Sequence, residues 1–248
     1  MKSKRLNCKI GANCKGSCIQ KSKSCQPVLS PKNKDRVIKA AEKLHAPITQ
    51  VKIKAFVKSG KISAAAQLLE DLRSRTSPID AAILTGKIKV DKSLIKDAND
   101  FNQLTGLELK RLKEIRLLPE RSSADIKAGI ITIDSRNGPD RQRASVFHEM
   151  GHFLERQSPD NIKKANDFVL SKATGPKELL SKIMNDNRYG PSESAYPGNF
   201  LNAYVGKTYL SGATEVISVG LEHFVSPLAL SKFFKAAPDH MELVAGML

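Results

Sequence analysis

Two histidines stand four residues apart, with a glutamate between them, in the stretch SVFHEMGHFLE at residues 145–155. In an α-helix, residues i and i+4 lie on the same face, so His148 and His152 can present two imidazoles to one metal ion. Glu149 then points towards the open coordination position, where it can take a proton from a bound water. Catalytic zinc usually has three protein ligands and a water, so this motif predicts only part of a zinc site.

The third ligand has to come from another part of the chain. The metzincin pattern H-x-x-G-x-x-H is excluded, because Glu155 and Ser158 stand where that class requires glycine and histidine. Asp160 is a weak candidate, since Pro159 and the expected helix end separate it from the motif. The alternative interpretation is an ordinary amphipathic helix whose histidines are satisfied by neighbouring side chains.

A second helix is predicted in TEVISVGLEHF, residues 214–224. Glu215, Ser218 and Glu222 lie along one side at spacings of three, four and seven residues, and apolar side chains surround that side. Such a helix can pack beside the first and supply a carboxylate ligand. The alternative is a core helix that carries a solvent-facing glutamate.

The order HEMGH and then ATEVISVGLEHFVSP resembles the gluzincin metallopeptidases, in the group that includes anthrax lethal factor. The resemblance implies a zincin-like fold, a bound Zn²⁺, a protein or peptide substrate, and Glu215 as the third ligand. It also implies that Glu222 orients an imidazole of the site. The tyrosine ahead of the second helix, a hydrogen-bond donor to the transition state in this family, best matches Tyr209, with Tyr204 as the competitor. The chain departs from the pattern where valine and isoleucine replace two phenylalanines after Glu215.

A different function is also open. The stretch from YVGKTY to GATEVISVGLEHF resembles segments of phage minor head (head-morphogenesis) proteins and of toxin-like proteins. That resemblance implies a phage-derived structural or assembly protein that keeps a zincin fold, or a toxin domain whose N-terminal segment serves delivery.

Basic residues concentrate at the start of the chain. Residues 1–61 hold sixteen Lys and Arg but only two acidic residues, a net charge of +14, whereas the remaining residues carry +2. This asymmetry predicts either a solvated arm or a contact surface for an anionic partner such as nucleic acid. Attraction to phosphates carries no base information, so a sequence-specific DNA reader is not indicated.

The four cysteines all lie within residues 8–25, with the spacing C-x5-C-x3-C-x6-C: Cys8, Cys14, Cys18 and Cys25. Two disulfides would cross-link a segment that is too short to bury a core. A four-cysteine structural zinc site is the alternative, although such sites usually pair C-x2-C units. Free thiols are the third interpretation.

The hydrophobic pattern predicts a mostly helical α+β chain with one small sheet. Helices are predicted at 34–45, 49–58, 62–75, 92–104, 140–157 (with Asp140 as N-cap), 159–172, 176–185, 213–224 and 227–236, and strands at 114–118 and 128–134. We expect three parts: a basic Cys-rich segment with a linker at 1–33, a helical region at 34–110, and a zincin-like catalytic domain at 111–248. The family resemblance implies that the strand AGIITID, residues 128–134, is an edge strand that pairs with substrate.

The chain is expected to be soluble and not to contact membrane. It contains no run of eighteen apolar residues, and its N-terminus lacks the apolar stretch of an ordinary signal peptide. The compartment is not fixed by the sequence; association with a virion or export by another route would fit.

Overall fold

A computed structural model describes residues 12–14, 17–19, 53–74, 88–106, 109 and 111–248. The chain divides into two units, Met1–Ile48 and Thr49–Leu248. In the first unit, β1 (Ala12–Cys14) pairs antiparallel with β2 (Ser17–Ile19). The cysteine side chains, the linker before residue 34 and the helix predicted at 34–45 lie outside the described residues, so the predictions for them stay predictions.

Helices dominate the described part of the second unit, and most begin where the sequence predicts. Residues 53–59 are helical. The later helices are α1 (Ile62–Arg73), α2 (Ile95–Thr105), α3 (Pro139–Gln157), α4 (Pro159–Lys172), α5 (Leu180–Met184), α6 (Val216–Leu221), α7 (Pro227–Ala236) and α8 (Pro238–Ala245), with 3-10 turns at Lys92–Leu94 and Ala203–Gly206. Four of them start on a proline, which fits the first helical turn because its missing N–H has no partner there anyway.

Three predictions about helices are wrong in detail. The N-cap of α3 is Gly138 and not Asp140, which lies in the first turn after Pro139. The helix predicted at 213–224 is regular only over Val216–Leu221, so that Glu215 and Glu222 flank it as N-cap and C-cap. The segment predicted as a helix from residue 176 begins with a short strand, and α5 starts at Leu180.

The main sheet has four strands in the order β3-β4-β6-β5: β3 (Lys89–Val90), β4 (Glu114–Leu118), β5 (Ser123–Asp125) and β6 (Ile130–Asp134). β4 runs parallel to β3 and β6, whereas β5 is antiparallel to β6. The prediction that 128–134 forms an edge strand is therefore wrong, because β6 pairs on both sides. Its central residues, Ile131, Thr132 and Ile133, are all buried, as expected of a strand that is covered on both faces. The short, polar β5 is the edge strand on the β6 side of the sheet, and β3 is the edge strand on the other side.

α3 is the central helix of the core. Eleven successive residues, Ser145–Glu155, are buried, because the sheet, α2, α4 and α6 all pack against this helix. Phe147 meets Phe101 of α2 edge-on, with ring centroids 5.4 Å apart. One hydrophobic cluster extends from Ile53 to Ala245, so the described helices before residue 110 and the later elements share a core. The fold is a mostly helical α+β arrangement with a small mixed sheet, as predicted.

The segment between α5 and α6 folds back over α3 instead of forming a long free loop. β7 (Glu178–Leu179) pairs with β8 (Ser194–Ala195), and isolated bridges join Ala195 to Lys207 and Thr208 to Thr214. These contacts bring the tyrosines of this segment to the HExxH helix. Within the described residues, no helix combines the length and the apolar character that crossing a membrane requires.

Candidate metal centre

The HExxH motif lies in the buried middle of α3. His148 and His152 are each 9% exposed and Glu149 is 6% exposed. The two imidazoles lie one helical turn apart, with ring centroids separated by 5.0 Å and planes at 80°. The spacing of four residues therefore places both rings on one face, as the sequence predicts.

α6 crosses this face at very short range because Gly151 has no side chain. A Cβ atom at Gly151 would lie 3.0 Å from Ser218 Cα. The close approach places Glu215, which is fully buried, beside both histidines. Its Oε2 atom lies 3.2 Å from His148 Nε2 and 3.4 Å from His152 Nε2.

These three side chains have the donor set and the spacing of a zinc site. One ligand atom from each residue lies within 4.8 Å of the other two. In a tetrahedral site with bonds of about 2.0–2.1 Å, neighbouring donor atoms are about 3.3–3.4 Å apart, close to both nitrogen–oxygen distances seen here. Two imidazoles and a carboxylate leave a fourth position for water or substrate. The residues present therefore fit a catalytic zinc ion.

Hydrogen bonds hold the Glu215 carboxylate in place from both sides. Ser218 Oγ donates to Oε2 over 2.6 Å, and the Tyr209 hydroxyl donates a short bond to Oε1. Lys207 Nζ lies 3.8 Å from Oε1 and adds a positive charge nearby. A buried carboxylate needs such partners, because desolvation otherwise disfavours its charged form.

Glu222 contacts the other side of His148. Its Oε1 atom lies 2.7 Å from His148 Nδ1, while Arg141 donates to Oε2 over 2.8 Å. A proton on Nδ1 that is shared with this carboxylate leaves Nε2 free to bind a metal. The geometry thus has the form implied for Glu222 by the family resemblance.

The charge state of the metal-free site follows from its burial and its carboxylates. Burial lowers the pKa of His152 to about 4 and raises the pKa of Glu149 to about 7. For His148, burial acts to lower the pKa, but the hydrogen bonds to Glu215 and Glu222 raise it well above its usual value. Burial acts to raise the pKa of Glu215, yet His152 and His148 keep it well below its usual range. His148 therefore favours its protonated form between the two carboxylates, and a metal ion binding here would displace the proton on Nε2.

The structure brings both predicted tyrosines to the site, with different partners. Tyr209 donates to Glu215, and its ring lies 6.1 Å from that of His152. The Tyr204 ring lies 6.3 Å from that of His148, and its hydroxyl accepts a hydrogen bond of 3.3 Å from Lys207 Nζ. Burial, followed by the nearby Glu215 carboxylate, raises the pKa of both phenols, so both stay protonated.

Glu155 is a buried residue next to the site, and no role is predicted for it from the sequence. It is 1% exposed, and both carboxylate oxygens accept from the Thr214 backbone N–H, at 3.1 and 3.2 Å. The Thr214 hydroxyl donates a third bond of 2.8 Å. Because Thr214 directly precedes Glu215, this contact fixes the third ligand's segment to the helix that carries the first two. The sequence feature that could have identified Glu155 is a carboxylate one helical turn after His152, within an apolar run.

Lys207 is the second residue without a predicted role. It is 5% exposed, and its Nζ atom bonds Glu193 Oε1 over 2.7 Å. The ammonium group lies between two aromatic rings, 5.0 Å from the centroid of Tyr204 and 4.8 Å from that of Tyr209. Its sequence signal is its position within YVGKTY. Lys207 therefore connects the two tyrosines and sets their spacing.

A cleft gives access to these groups. A cavity of about 280 Å³ is lined by both histidines, Glu149 and the two tyrosines, and by Ser123 and Ala124 of β5 on the opposite wall. A larger cavity of about 690 Å³ continues from His148 and Glu149 towards Asn202 and Glu222. No strand in the described part of the chain pairs with the outer edge of β5. The candidate metal site thus faces a groove that is bordered by a free strand edge.

Comparisons of the chain with protein-family models, with curated proteins and with solved structures find no significant match.

Proposed function

We propose that this protein is a zinc-dependent peptidase whose metal is held by His148, His152 and Glu215. The observation that carries the proposal is the group of three buried donor atoms within 4.8 Å of one another, with both nitrogen–oxygen distances close to those of a tetrahedral site and with Glu149 one residue from a ligand in the same cleft. The gluzincin resemblance of the sequence is a second, independent support for the proposal.

A zinc ion bound here would polarise a carbonyl oxygen and increase the acidity of a water molecule. Glu149 lines the cleft beside both histidines, so its carboxylate can take the proton of the attacking water. The same carboxylic acid then returns that proton to the leaving amine, which completes the cleavage of one peptide bond by one water.

Tyr204 is the better donor to the developing oxyanion. The Tyr209 hydroxyl already donates a hydrogen bond to Glu215, so Tyr209 holds a candidate metal ligand in place. The Tyr204 hydroxyl oxygen accepts a hydrogen bond from Lys207, and Tyr204 lines the cleft, where its O–H group can donate to a substrate oxygen. The positive charge of Lys207 also strengthens that donor.

The edge strand β5 supplies a place for an extended substrate. Backbone groups on the outer edge of Ser123–Asp125 can pair with a peptide as an added strand, which gives affinity without a sequence requirement. Side chains of the peptide would then reach the walls of the cleft. A peptide substrate explains why a free strand edge borders the metal site.

The test is Glu149→Gln, which keeps the size of the side chain and removes the base. We expect zinc to stay bound at one ion per chain, while peptide turnover falls about 10²–10⁴-fold. Elemental analysis gives the zinc content, and mass spectrometry of a digested peptide library gives the turnover. The exposed Glu242→Gln on α8 is the matched control and should cleave as the wild type does. Undiminished cleavage by Glu149→Gln would show that another group acts as the base.

The assembly and toxin alternatives depend on the basic and cysteine-rich N-terminal residues. Most of residues 1–61 lie outside the described part of the chain. The same digest tests the assembly alternative, because a protein that has kept its fold only for assembly cleaves nothing.

A further inference from the structure

Basic side chains line both cavities of the site, and most of them are already paired with acidic groups. Arg136 pairs with Asp134, Arg141 with Glu222, Arg188 with Asp186 and Lys207 with Glu193, at 2.7–2.8 Å. Arg121 is 58% exposed and lies 3.8 Å from Glu193. These pairs neutralise much of the positive charge that the cleft would otherwise present.

Arg156 differs from all of these groups. Its guanidinium lines the smaller cavity, yet no carboxylate of the described residues lies within ion-pair distance of it. Its one hydrogen bond among the described residues goes from an NH₂ group to Ser211 Oγ over 2.7 Å, and its Nε atom is buried without a partner. The adjacent Glu155 attracts Arg156 through space but makes no hydrogen bond to it, because both of its oxygens accept from Thr214. A half-buried guanidinium, which has five donors, thus has one of them satisfied within the described residues.

The position of Arg156 on α3 places this charge beside the reaction centre. His148, His152 and Arg156 follow one another at four-residue intervals, so they share one face of the helix and line the same cavity. A ligand group at Arg156 would therefore lie one turn of α3 beyond the His152 ligand. Arginine binds carboxylates with two parallel hydrogen bonds, which makes it selective as well as attractive for that group.

We propose that Arg156 forms a subsite that binds a carboxylate of the substrate, which makes acidic peptides the preferred substrate class. The proposal rests on the proposed peptidase function for its biological use, but the binding itself requires only the cleft and the guanidinium. The carboxylate comes either from an aspartate or glutamate side chain or from the C-terminus of the peptide. Both sources offer the same chemistry to Arg156.

The experiment measures peptide binding without cleavage. Fluorescent heptapeptides of alanine and threonine carry either glutamate or glutamine, at a position that is scanned along the peptide. Binding to Glu149→Gln protein is followed by fluorescence anisotropy, both with zinc and metal-free. The glutamate peptide is expected to bind roughly tenfold tighter at one position, from a charge-assisted hydrogen bond of about 1.5 kcal/mol or more. Glutamine peptides with a free or an amidated C-terminus show which carboxylate is bound.

Variants of Arg156 test the assignment. Arg156→Gln should remove the preference, whereas Arg156→Lys, which keeps the charge without the forked geometry, should keep part of it. Lys232→Gln removes a charge from an exposed residue of α7 that lines neither cavity, and it should keep the full preference. Equal affinity for glutamate and glutamine peptides at every position, or no binding of either, overturns the subsite.

The two proposals fail separately. A preference for the acidic peptide that depends on Arg156, in a protein that cleaves nothing, contradicts the peptidase proposal and keeps the subsite. Cleavage by the wild type with no acidic preference contradicts the subsite alone.

Discussion

Two pairs of histidines lie on opposite sides of α6, and their surroundings differ. His148 and His152 face Glu215 and Glu222, whose carboxylate oxygens lie 2.7–3.4 Å from ring nitrogens. On the other side, His223 stacks on Phe233 with centroids 4.6 Å apart. His240 lies 5.0 Å from both Phe168 and Phe233, and its Nε2 donates to the Val216 carbonyl over 2.8 Å.

The difference shows what would allow one buried histidine to bind a metal and not another. Burial does not distinguish the two sides, since it lowers the pKa of both His152 and His240 to about 4. A neutral imidazole of the kind that a metal requires is therefore present both at His152 and at His240. What differs is the presence of carboxylates that complete a donor set at His152 and the aromatic packing that fills the space around His240. We infer that the first pair binds metal and that the second pair stabilises the core.

The largest effect that tests this comparison is the loss of zinc. His148→Ala removes one of three donors, so we expect the zinc content to fall from one ion per chain to near zero. His240→Gln leaves all three donors in place and should keep the full zinc content. Elemental analysis after gel filtration measures both, and circular dichroism checks that each variant is folded. Stoichiometric zinc in His148→Ala, or zinc loss in a folded His240→Gln, would contradict the assignment of the first pair to metal binding and of the second pair to packing.

Local pattern was sufficient to predict the regular elements and half of the site. The four-residue spacing of His148 and His152 fixes their common face wherever the helix sits, and the apolar periodicity located β4, α4 and α7 within a few residues. α8 was not predicted, although Pro238 begins it as a proline begins α7. Its pattern is short, with eight residues.

Groups that come together over long sequence separations could not be predicted from the pattern alone. Glu155 and Thr214 are 59 residues apart, and His148 and Glu222 are 74 apart. Glu215 was predicted from a family resemblance and from the polar side of a helix. In the structure that helix begins at Val216, directly after Glu215. The edge strand was assigned to residues 128–134 from the family resemblance, and the β-branched residues there mark a strand without showing that β5 pairs beside it. Arg156 could not be singled out, since its unpaired charge is visible only once the neighbouring carboxylates are placed.

A smaller effect is expected from the carboxylate that contacts His148. Glu222→Gln keeps the shape but removes the charge that holds the Nδ1 proton, and such changes typically weaken zinc binding about 10–100-fold. Competition with a chelating dye at fixed pH measures the dissociation constant. Glu242→Gln, an exposed site on α8, is the control and should bind zinc with the affinity of the wild type. An unchanged affinity in Glu222→Gln would mean that the 2.7 Å contact does not tune the ligand.

The last expected effect concerns the packing histidine and the stability of the fold. The pKa of His240 is lowered by burial to about 4 in the folded state, against 6.5 for the free side chain, so the unfolded chain takes up the proton first as the pH falls. Stability is therefore fully present above about pH 6.5 and is lost progressively towards pH 4. The loss attributable to His240 is about 2–3 kcal/mol at pH 4.5. Denaturant unfolding at pH 7.5 and pH 4.5 measures it, because His240→Gln lacks this titration and should lose that much less between the two pH values. The same loss in both proteins would show that His240 already binds its proton in the folded core, and the contrast between the two sides of α6 would then not depend on a neutral packing imidazole.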